Sequence, residues 1–192
     1  MPRPKTLSDA DVLATAHRLI HGQGPDALTL ASVAVACGLS ASTLVQRFRS
    51  KAGLVQSTLL YAWDRLDAKT ARLAADVPKT ADGAVELLVA LSSDYGDIEA
   101  YASGLLVLRE DLRDPALRAR GAAWKKALSG ALDQCFAEVP HAPQGIGLLL
   151  ASHWQGSLLF WSFDPRGDVA RFVEDSLKRF VAAIVGPERA GS

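Results

Sequence analysis

The sequence predicts an all-α protein with a three-helix N-terminal unit and a helical bundle behind it. Two observations predict this fold. Apolar side chains recur every three to four residues along most of the chain, whereas the alternating runs typical of strands are missing. The 192 residues, 49% of them hydrophobic and 22% charged, have the composition of a globular protein that buries a sizeable core. They exclude wholesale disorder.

Helix caps and breakers divide the chain. Residues that favour helix N-termini precede the first four helices, and these caps are Ser8, Thr29, Ser40 and Ser50. The fourth helix runs towards Ala75, and Asp76-Val77-Pro78 breaks the chain after it. Further helices are predicted at about 81–95, 98–112, 115–138, 144–163 and 167–185. We therefore expect one domain over residues 1–50 and a second over 51–192, joined by the helix 51–75.

Charge is unevenly distributed along a chain whose net charge is zero. Residues 1–66 hold seven cationic and four anionic side chains, and three of the cations, Arg47, Arg49 and Lys51, lie within five residues. Two more, Arg3 and Lys5, lie on a proline-rich arm. A uniformly basic surface is excluded, but a local basic patch is not. Alone, such a cluster more often marks a solvated helix end than a nucleic-acid site.

Cysteine usage and hydropathy predict a cytoplasmic protein. Cys37 and Cys135 are too few for a disulfide framework, and no apolar run follows the basic N-terminus. The segment Ile146–Phe163 has no charged residue, but its length is marginal for a membrane span. A helix buried on most sides explains it better, so we expect no membrane partner.

The segment Thr29–Lys51 has the pattern of a helix-turn-helix motif. A short helix, the turn Gly38-Leu39-Ser40 and a second short helix follow one another, and glycine permits the sharp bend. The second helix turns Leu44 and Phe48 inward and exposes short polar side chains, which allow close approach to base edges in a major groove. Ordinary helical hairpins share this pattern, so it is only moderately specific.

More residues of the same region carry a family resemblance. They are Ala16 to Ile20, Thr29-Leu30, Val33-Ala34, Gly38-Leu39-Ser40, Ser42-Thr43-Leu44, Phe48, Ser50-Lys51 and Leu54. With them, the stretch Leu7–Leu66 resembles the DNA-binding domain of the TetR (tetracycline-repressor-like) family of bacterial transcription regulators. The region behind it fits that family's ligand-binding and dimerisation domain by length and helix count.

This resemblance implies roles for individual residues. Thr29 and Lys51 would contact phosphates, the latter at a helix N-terminus that itself favours an anion. Ser40, Ser42, Thr43 and Gln46 would lie in the major groove. The second motif helix also exposes Ala41, Val45 and Arg47 as candidate DNA contacts. Val45 stands where the family commonly has tyrosine. Valine lacks the hydroxyl with which a tyrosine would contact DNA, but it can contact a thymine methyl instead. Arg47 and Arg49 can replace the lost contact to the DNA backbone.

The C-terminal helices offer candidates for a pocket and a dimer face. The resemblance implies a small, largely apolar effector, and the candidate pocket residues are Trp63, Tyr95, Tyr101, Trp124, His153 and Trp154. Taken one by one, such aromatic residues are more often core. The last two helices fit a homodimer face, with Gly147 and Gly156 allowing close approach and Phe160, Trp161 and Phe163 as anchors. A two-fold dimer requires a palindromic operator.

No catalytic constellation, cofactor motif or metal-ligand spacing is recognisable, and the four histidines and two cysteines are not spaced as a metal site. The sequence therefore predicts a dimeric, sequence-specific DNA-binding repressor that an effector releases. Two alternatives remain. One is a helical-bundle ligand carrier or enzyme whose N-terminal helices only pack, and the other is a protein–protein adaptor that uses the same hairpin.

Overall fold

The computed structural model describes residues 7–93 and 96–186. Within them the chain forms α-helices and no strand, which confirms the predicted all-α class. The helices are α1 (Asp9–Gln23), α2 (Leu30–Cys37), α3 (Ala41–Phe48), α4 (Lys51–Asp76), α5 (Ala81–Ser92), α6 (Ile98–Arg113), α7 (Pro115–Cys135), α8 (Ile146–Phe163) and α9 (Val169–Val185). The arm with Arg3 and Lys5 lies outside the described residues.

Contacts divide the chain into two compact units. The N-terminal unit comprises residues 1–66 together with 102–121, and the C-terminal unit comprises 67–101 together with 122–192. The N-terminal unit takes in the first part of α4 and parts of α6 and α7, and the domain boundary after residue 50 stays a prediction. Helices α4, α6 and α7 thus contribute residues to both units.

The N-terminal unit is built around the apolar stripe of α1. Ser8 caps this helix through a reciprocal capping box with Asp11, which satisfies two backbone donors that the helix leaves free. Val12, Ala16 and Ile20 are fully buried one turn apart. Around them pack apolar residues of α2, α3 and α4, with Leu117 from the start of α7. This core fixes the position of α3.

The C-terminal unit packs α5, α8 and α9 together. Trp154 on α8 is 2% exposed, and its indole Nε1 donates to Ser92 Oγ of α5 at 2.8 Å. Helix α8 also meets α7 closely. A Cβ built on Gly147 would lie 2.1 Å from the backbone oxygen of Ser129, so this position admits only glycine. Gly147 therefore serves packing within the unit, and not the dimer face to which the sequence assigned it.

Within the described residues, no single helix is both long and apolar enough to cross a membrane. The helices Leu30–Cys37 and Ala41–Phe48 are long and apolar enough only when both are counted together, and a bend of 114° separates them.

Candidate functional site

The bend between α2 and α3 has the geometry of a helix-turn-helix motif. The two helices meet at 114°, within the roughly 90–120° of such motifs. Gly38 has left-handed angles, φ 65° and ψ 30°, which other residues adopt at a cost. The Leu39 amide donates to Ala34 O at 2.9 Å, closing the C-terminus of α2, and the Leu39 side chain packs against the core. The predicted turn is confirmed in detail.

Hydroxyl groups organise the N-terminus of α3. Ser40 Oγ accepts from the Thr43 amide at 3.1 Å and lies 2.8 Å from both Ser42 Oγ and Thr43 Oγ1. Leu44 and Phe48 are buried, as predicted, and they attach the helix to the core. The opposite side of α3 stays exposed, and its exposed residues are Ala41, Ser42, Val45 and Gln46. Four predicted base-contacting residues therefore share one accessible surface made of small or polar side chains.

Arg47 is directed away from that exposed surface. Its Nη1 donates to Leu7 O at 2.8 Å and lies 3.3 Å from Asp9 Oδ1, and the side chain is 21% exposed. A charged donor on a backbone carbonyl is among the stronger hydrogen bonds in proteins. Arg47 thus ties α3 to the start of α1, a structural role that the sequence did not suggest.

The two predicted phosphate contacts, Thr29 and Lys51, lie at helix N-termini. Thr29 caps α2 through a reciprocal hydrogen-bond pair with Ser32, whose amide donates to Thr29 Oγ1 at 2.9 Å. Lys51 opens α4, and its Nζ donates to Asp26 O at 2.6 Å. Both residues are exposed. The hydrogen bond to Asp26 O holds the lysine at the loop that precedes Thr29.

The turn between α3 and α4 has an unusual backbone. Arg49 has φ 70° and ψ −47°, and the Ser50 amide donates to Phe48 O at 2.8 Å. These values describe a tight three-residue γ-turn with positive φ, a rare and strained conformation. The turn leaves the Arg49 side chain exposed beside the end of α3. It adds an accessible cation to the region that holds Lys51.

A groove between α4 and α7 in the C-terminal unit has a volume of about 420 Å³. Trp124 on one wall donates through Nε1 to Thr70 Oγ1 on the other at 2.9 Å. The groove residues are Asp67, Thr70, Ala71, Ala74, Ala123, Trp124, Ala127 and Ala131. Five alanine methyl groups and one indole make this α4–α7 groove largely apolar, with few polar groups.

The other candidate pocket residues do not share that groove. Trp154 is buried, with its ring 6.4 Å from that of Trp124, and Tyr101 is buried in the same unit. His153 stacks on Phe180 in a depression between α8 and α9, with ring centroids 4.1 Å apart. Tyr95 lies outside the described residues. Of the five candidates that the structure describes, Trp124 is the one that lines the α4–α7 groove.

Trp63 belongs to the N-terminal unit, where it partners a buried carboxylate. Its Nε1 donates to Asp111 Oδ1 at 3.1 Å. Burial raises the pKa of Asp111, and nearby Asp114 and Glu110 raise it further, while the hydrogen bond from Trp63 opposes the shift. Gln56 Nε2 donates to Asp114 Oδ2 at 2.7 Å. These contacts fasten the end of α6 to α4. Local sequence patterns do not reveal this attachment, because the partners lie about fifty residues apart.

Helices α8 and α9 expose an apolar surface, which we call the α8–α9 face. Its large exposed side chains are Leu148, Leu149, Leu159, Phe160, Phe163 and Phe172. Phe160 and Phe163 are 75% and 80% exposed, whereas Trp161 is 5% exposed and packs inside the unit. Trp161 is therefore not an anchor of this face, contrary to the sequence-based expectation. A Cβ added to Gly156, on the same face, would meet open space.

Among the described residues, no group of three or more His, Cys, Asp or Glu side chains is arranged to hold a metal ion. Burial raises the pKa of the Cys135 thiol, although the charge of Lys79 opposes the shift. This sulfur therefore stays protonated at neutral pH and packs in the core.

Comparison with known proteins agrees with this geometry. Residues 12–58, which span α1 to the first part of α4, match the model of "Bacterial regulatory proteins, tetR family". No curated protein matches the chain.

Solved structures share the fold over nearly the whole chain. A protein from Rhodococcus sp., described as a TetR-family transcriptional regulator, is 21% identical with a TM-score of 0.65, over 92% of this chain and 97% of its own. A transcriptional regulator from Saccharomonospora viridis in complex with choline is 19% identical with a TM-score of 0.67, over 88% and 93%. AibR, in complex with isovaleryl coenzyme A and operator DNA, is 18% identical with a TM-score of 0.61, over 92% and 97%. At these identities the likeness concerns the fold.

Proposed function

We propose that this chain is a regulatory protein of the tetR family, whose model matches residues 12–58, and that it acts as a dimeric repressor. It reads a palindromic operator and is released by a small, largely apolar effector. Its general function is that of a DNA-binding transcriptional regulator. The exposed surface of α3 is the observation that carries the proposal. An exposed polar surface is ordinary on a helix, but here it lies on the second helix of the helix-turn-helix motif, inside the segment that the family model matches. That position favours a DNA-binding function over a carrier or enzyme whose N-terminal helices only pack.

In this proposal the exposed surface of α3 enters the major groove. Ser42 and Gln46 offer hydrogen-bonding groups to base edges, and Ala41 and Val45 offer methyl groups to thymine. Thr29 and Lys51 hold phosphates on either side, which fixes the register of the helix without reading sequence. Lys51 keeps two of its three ammonium protons for this task, because one is donated to Asp26 O.

The proposed dimer forms through the α8–α9 face. Phe160 and Phe163 give it two large exposed aromatic side chains, and such residues commonly anchor interfaces. Gly156 lies between them and the N-terminal part of α8, where a second helix can approach closely. Because the two subunits are identical, the proposed dimer presents two copies of α3 to two half-sites of a palindrome.

Two glycine variants test the dimer. Gly156→Leu adds a side chain that meets nothing within the chain, so the fold should stay intact while close approach of a second helix is blocked. Gly130→Leu on α7 is the matched control, since a Cβ there also meets open space. Light scattering should give a monomer for Gly156→Leu and a dimer for Gly130→Leu and the wild type. A dimeric Gly156→Leu variant would contradict the proposed interface.

The proposed effector site is the α4–α7 groove. Its volume of about 420 Å³ suits a small molecule, and its alanine-rich walls suit an apolar one. The structures with choline and with isovaleryl coenzyme A support a small-molecule effector for proteins of this fold. Helices α4 and α7 also run into the N-terminal unit. An effector that shifts either helix therefore acts on an element that packs in the DNA-binding unit.

Binding to DNA tests the function as a whole. Fluorescence anisotropy should show tighter binding to a palindrome near the protein's own gene than to a scrambled duplex. Affinity should fall steeply with salt, since released counterions dominate such binding. A small apolar compound that binds the groove should raise the melting temperature of the wild type and weaken its binding to DNA. In Ala127→Phe the added ring narrows the groove, so the same compound should change neither quantity. Equal binding to both duplexes, without salt dependence, would contradict the function.

A further inference from the structure

Two histidines on the exposed side of α1 have no part in the proposed function. His17 and His21 are one helical turn apart, and their Nε2 atoms lie 3.1 Å from each other. The ring centroids are 4.4 Å apart and the ring planes meet at 71°. His17 is half-buried and His21 is exposed. The two nitrogen atoms therefore converge on one point at the surface of the N-terminal unit.

This separation matches the bite of a metal ion. Imidazole nitrogens bind first-row divalent metals such as Zn²⁺ at about 2.0–2.1 Å. Two such bonds to atoms 3.1 Å apart enclose an angle of about 95–102° at the metal. That angle lies between the 90° of square-planar or octahedral ions and the 109° of tetrahedral ones. A metal can thus bridge the two nitrogens in place of the proton that they share.

The helix also holds both ligands in place before a metal arrives. When a rigid element presents two ligands together, the second bond forms within the same molecule and costs little additional entropy. We propose that His17 and His21 form a bidentate site for a borderline divalent transition metal, Ni²⁺, Cu²⁺ or Zn²⁺, with water completing the coordination. No third His, Cys, Asp or Glu side chain joins the pair within the described residues, so water must supply the remaining ligands.

The charge of Arg65 lowers the affinity of this site. Its guanidinium acts electrostatically on His17, and it is held in place because Nη1 donates to Tyr61 OH at 3.2 Å. A fixed cation beside a bound dication is unfavourable. Arg65→Gln, which removes the charge and keeps a similar length, should therefore tighten metal binding severalfold.

Titration of the tag-free, full-length protein with NiCl₂ tests the site. The wild type should bind one Ni²⁺ per chain, His21→Ala should lose at least tenfold in affinity, and Arg65→Gln should gain. His141→Ala is the control, because His141 is exposed in a turn outside α1. Its affinity should equal that of the wild type. Ni²⁺ should raise the melting temperature of the wild type but not of His21→Ala, since only the folded helix brings both nitrogens together.

His17→Ala tests the second ligand and should lose affinity like His21→Ala. The half-buried side chain also packs, so its variant is checked by circular dichroism. In case it unfolds, electron paramagnetic resonance of Cu²⁺ bound to the wild type gives the independent answer. Coupling to two equivalent nitrogens would support the site. Coupling to one nitrogen, or equal Ni²⁺ affinity in the wild type and His21→Ala, would overturn it.

Discussion

Replacing Arg47 separates two roles that the sequence could not distinguish. The sequence made Arg47 a DNA contact, whereas the structure commits its guanidinium to Leu7 O and Asp9. Arg47→Met keeps most of the aliphatic stem and removes both polar contacts. We expect this variant to lose stability while its binding to DNA keeps the same dependence on salt concentration.

The magnitude follows from the two contacts. A hydrogen bond from a charged donor contributes about 1.5–3 kcal/mol. The ion pair with Asp9, whose side chain is 66% exposed, adds at most about 0.5 kcal/mol because water screens it. Arg47 is itself partly exposed, so we expect the free energy of unfolding to fall by about 1–2 kcal/mol. Asp9→Asn, which removes only the ion pair, should cost less than about 0.5 kcal/mol.

Two assays measure the two roles. Urea denaturation gives the loss of stability, and operator binding over a range of salt concentrations gives the number of phosphate contacts. Each phosphate contact contributes about 0.9 to the slope of log K against log salt concentration. Lys51→Ala should therefore reduce the slope by about 1.8 in a dimer, whereas Arg47→Met should leave it unchanged. A slope lowered equally by both variants, with full stability of Arg47→Met, would refute the structural role of Arg47.

Three further substitutions have definite expected outcomes. Arg49→Gly relieves the positive φ of the γ-turn and should raise the free energy of unfolding by about 1 kcal/mol in urea, whereas Arg49→Ala, which keeps the strain, should not. Burial raises the pKa of Asp111 above its unfolded value, so the stability that this group contributes is full below the unfolded pKa and is lost as pH rises through the folded pKa. Asp111→Asn should therefore gain stability relative to the wild type between acid and neutral pH, and equal pH profiles would contradict this. Trp154→Phe removes the hydrogen bond to Ser92 and leaves a void, so it should lose about 2–4 kcal/mol by thermal or urea unfolding. An unchanged stability would contradict the structural role of Trp154.

Local chemistry allowed most helix positions to be predicted. The predicted caps Ser8, Thr29 and Ser40 all accept from a backbone amide three residues later, because capping depends on neighbours in the chain. The sequence offers both Gly22 and Gly24-Pro25 as the end of the first helix. Helix α1 continues through Gly22 to Gln23 and ends at Gly24, where φ is 78°. Glycine can continue a helix as well as end it, and the local sequence does not distinguish the two.

Roles that depend on distant partners could not be predicted. Arg47 and Lys51 look alike as exposed cations until Leu7 O and Asp26 O are found beside them. Gly147 and Gly156 look alike on α8, yet one faces the backbone of α7 and the other faces solvent. Sequence spacing gives the face of a helix, but only the tertiary structure tells what that face meets.

One signal in the sequence was overlooked. His17 and His21 have the i, i+4 spacing that brings side chains together on a helix. The four histidines and two cysteines are not spaced as a complete metal-ligand set, and a pair alone does not make such a set. The short distance between the two Nε2 atoms became evident only once α1 and its side chains were placed.

The base preference of the protein, selected from random duplexes, tests the central claim most directly. If the exposed surface of α3 reads a major groove twice in a dimer, the wild type should select an inverted repeat. Gln46→Ala should then change the preference at one base pair in each half, and at symmetric positions. Selection of no preferred sequence by the wild type, or an identical profile for Gln46→Ala and the wild type, would contradict the claim.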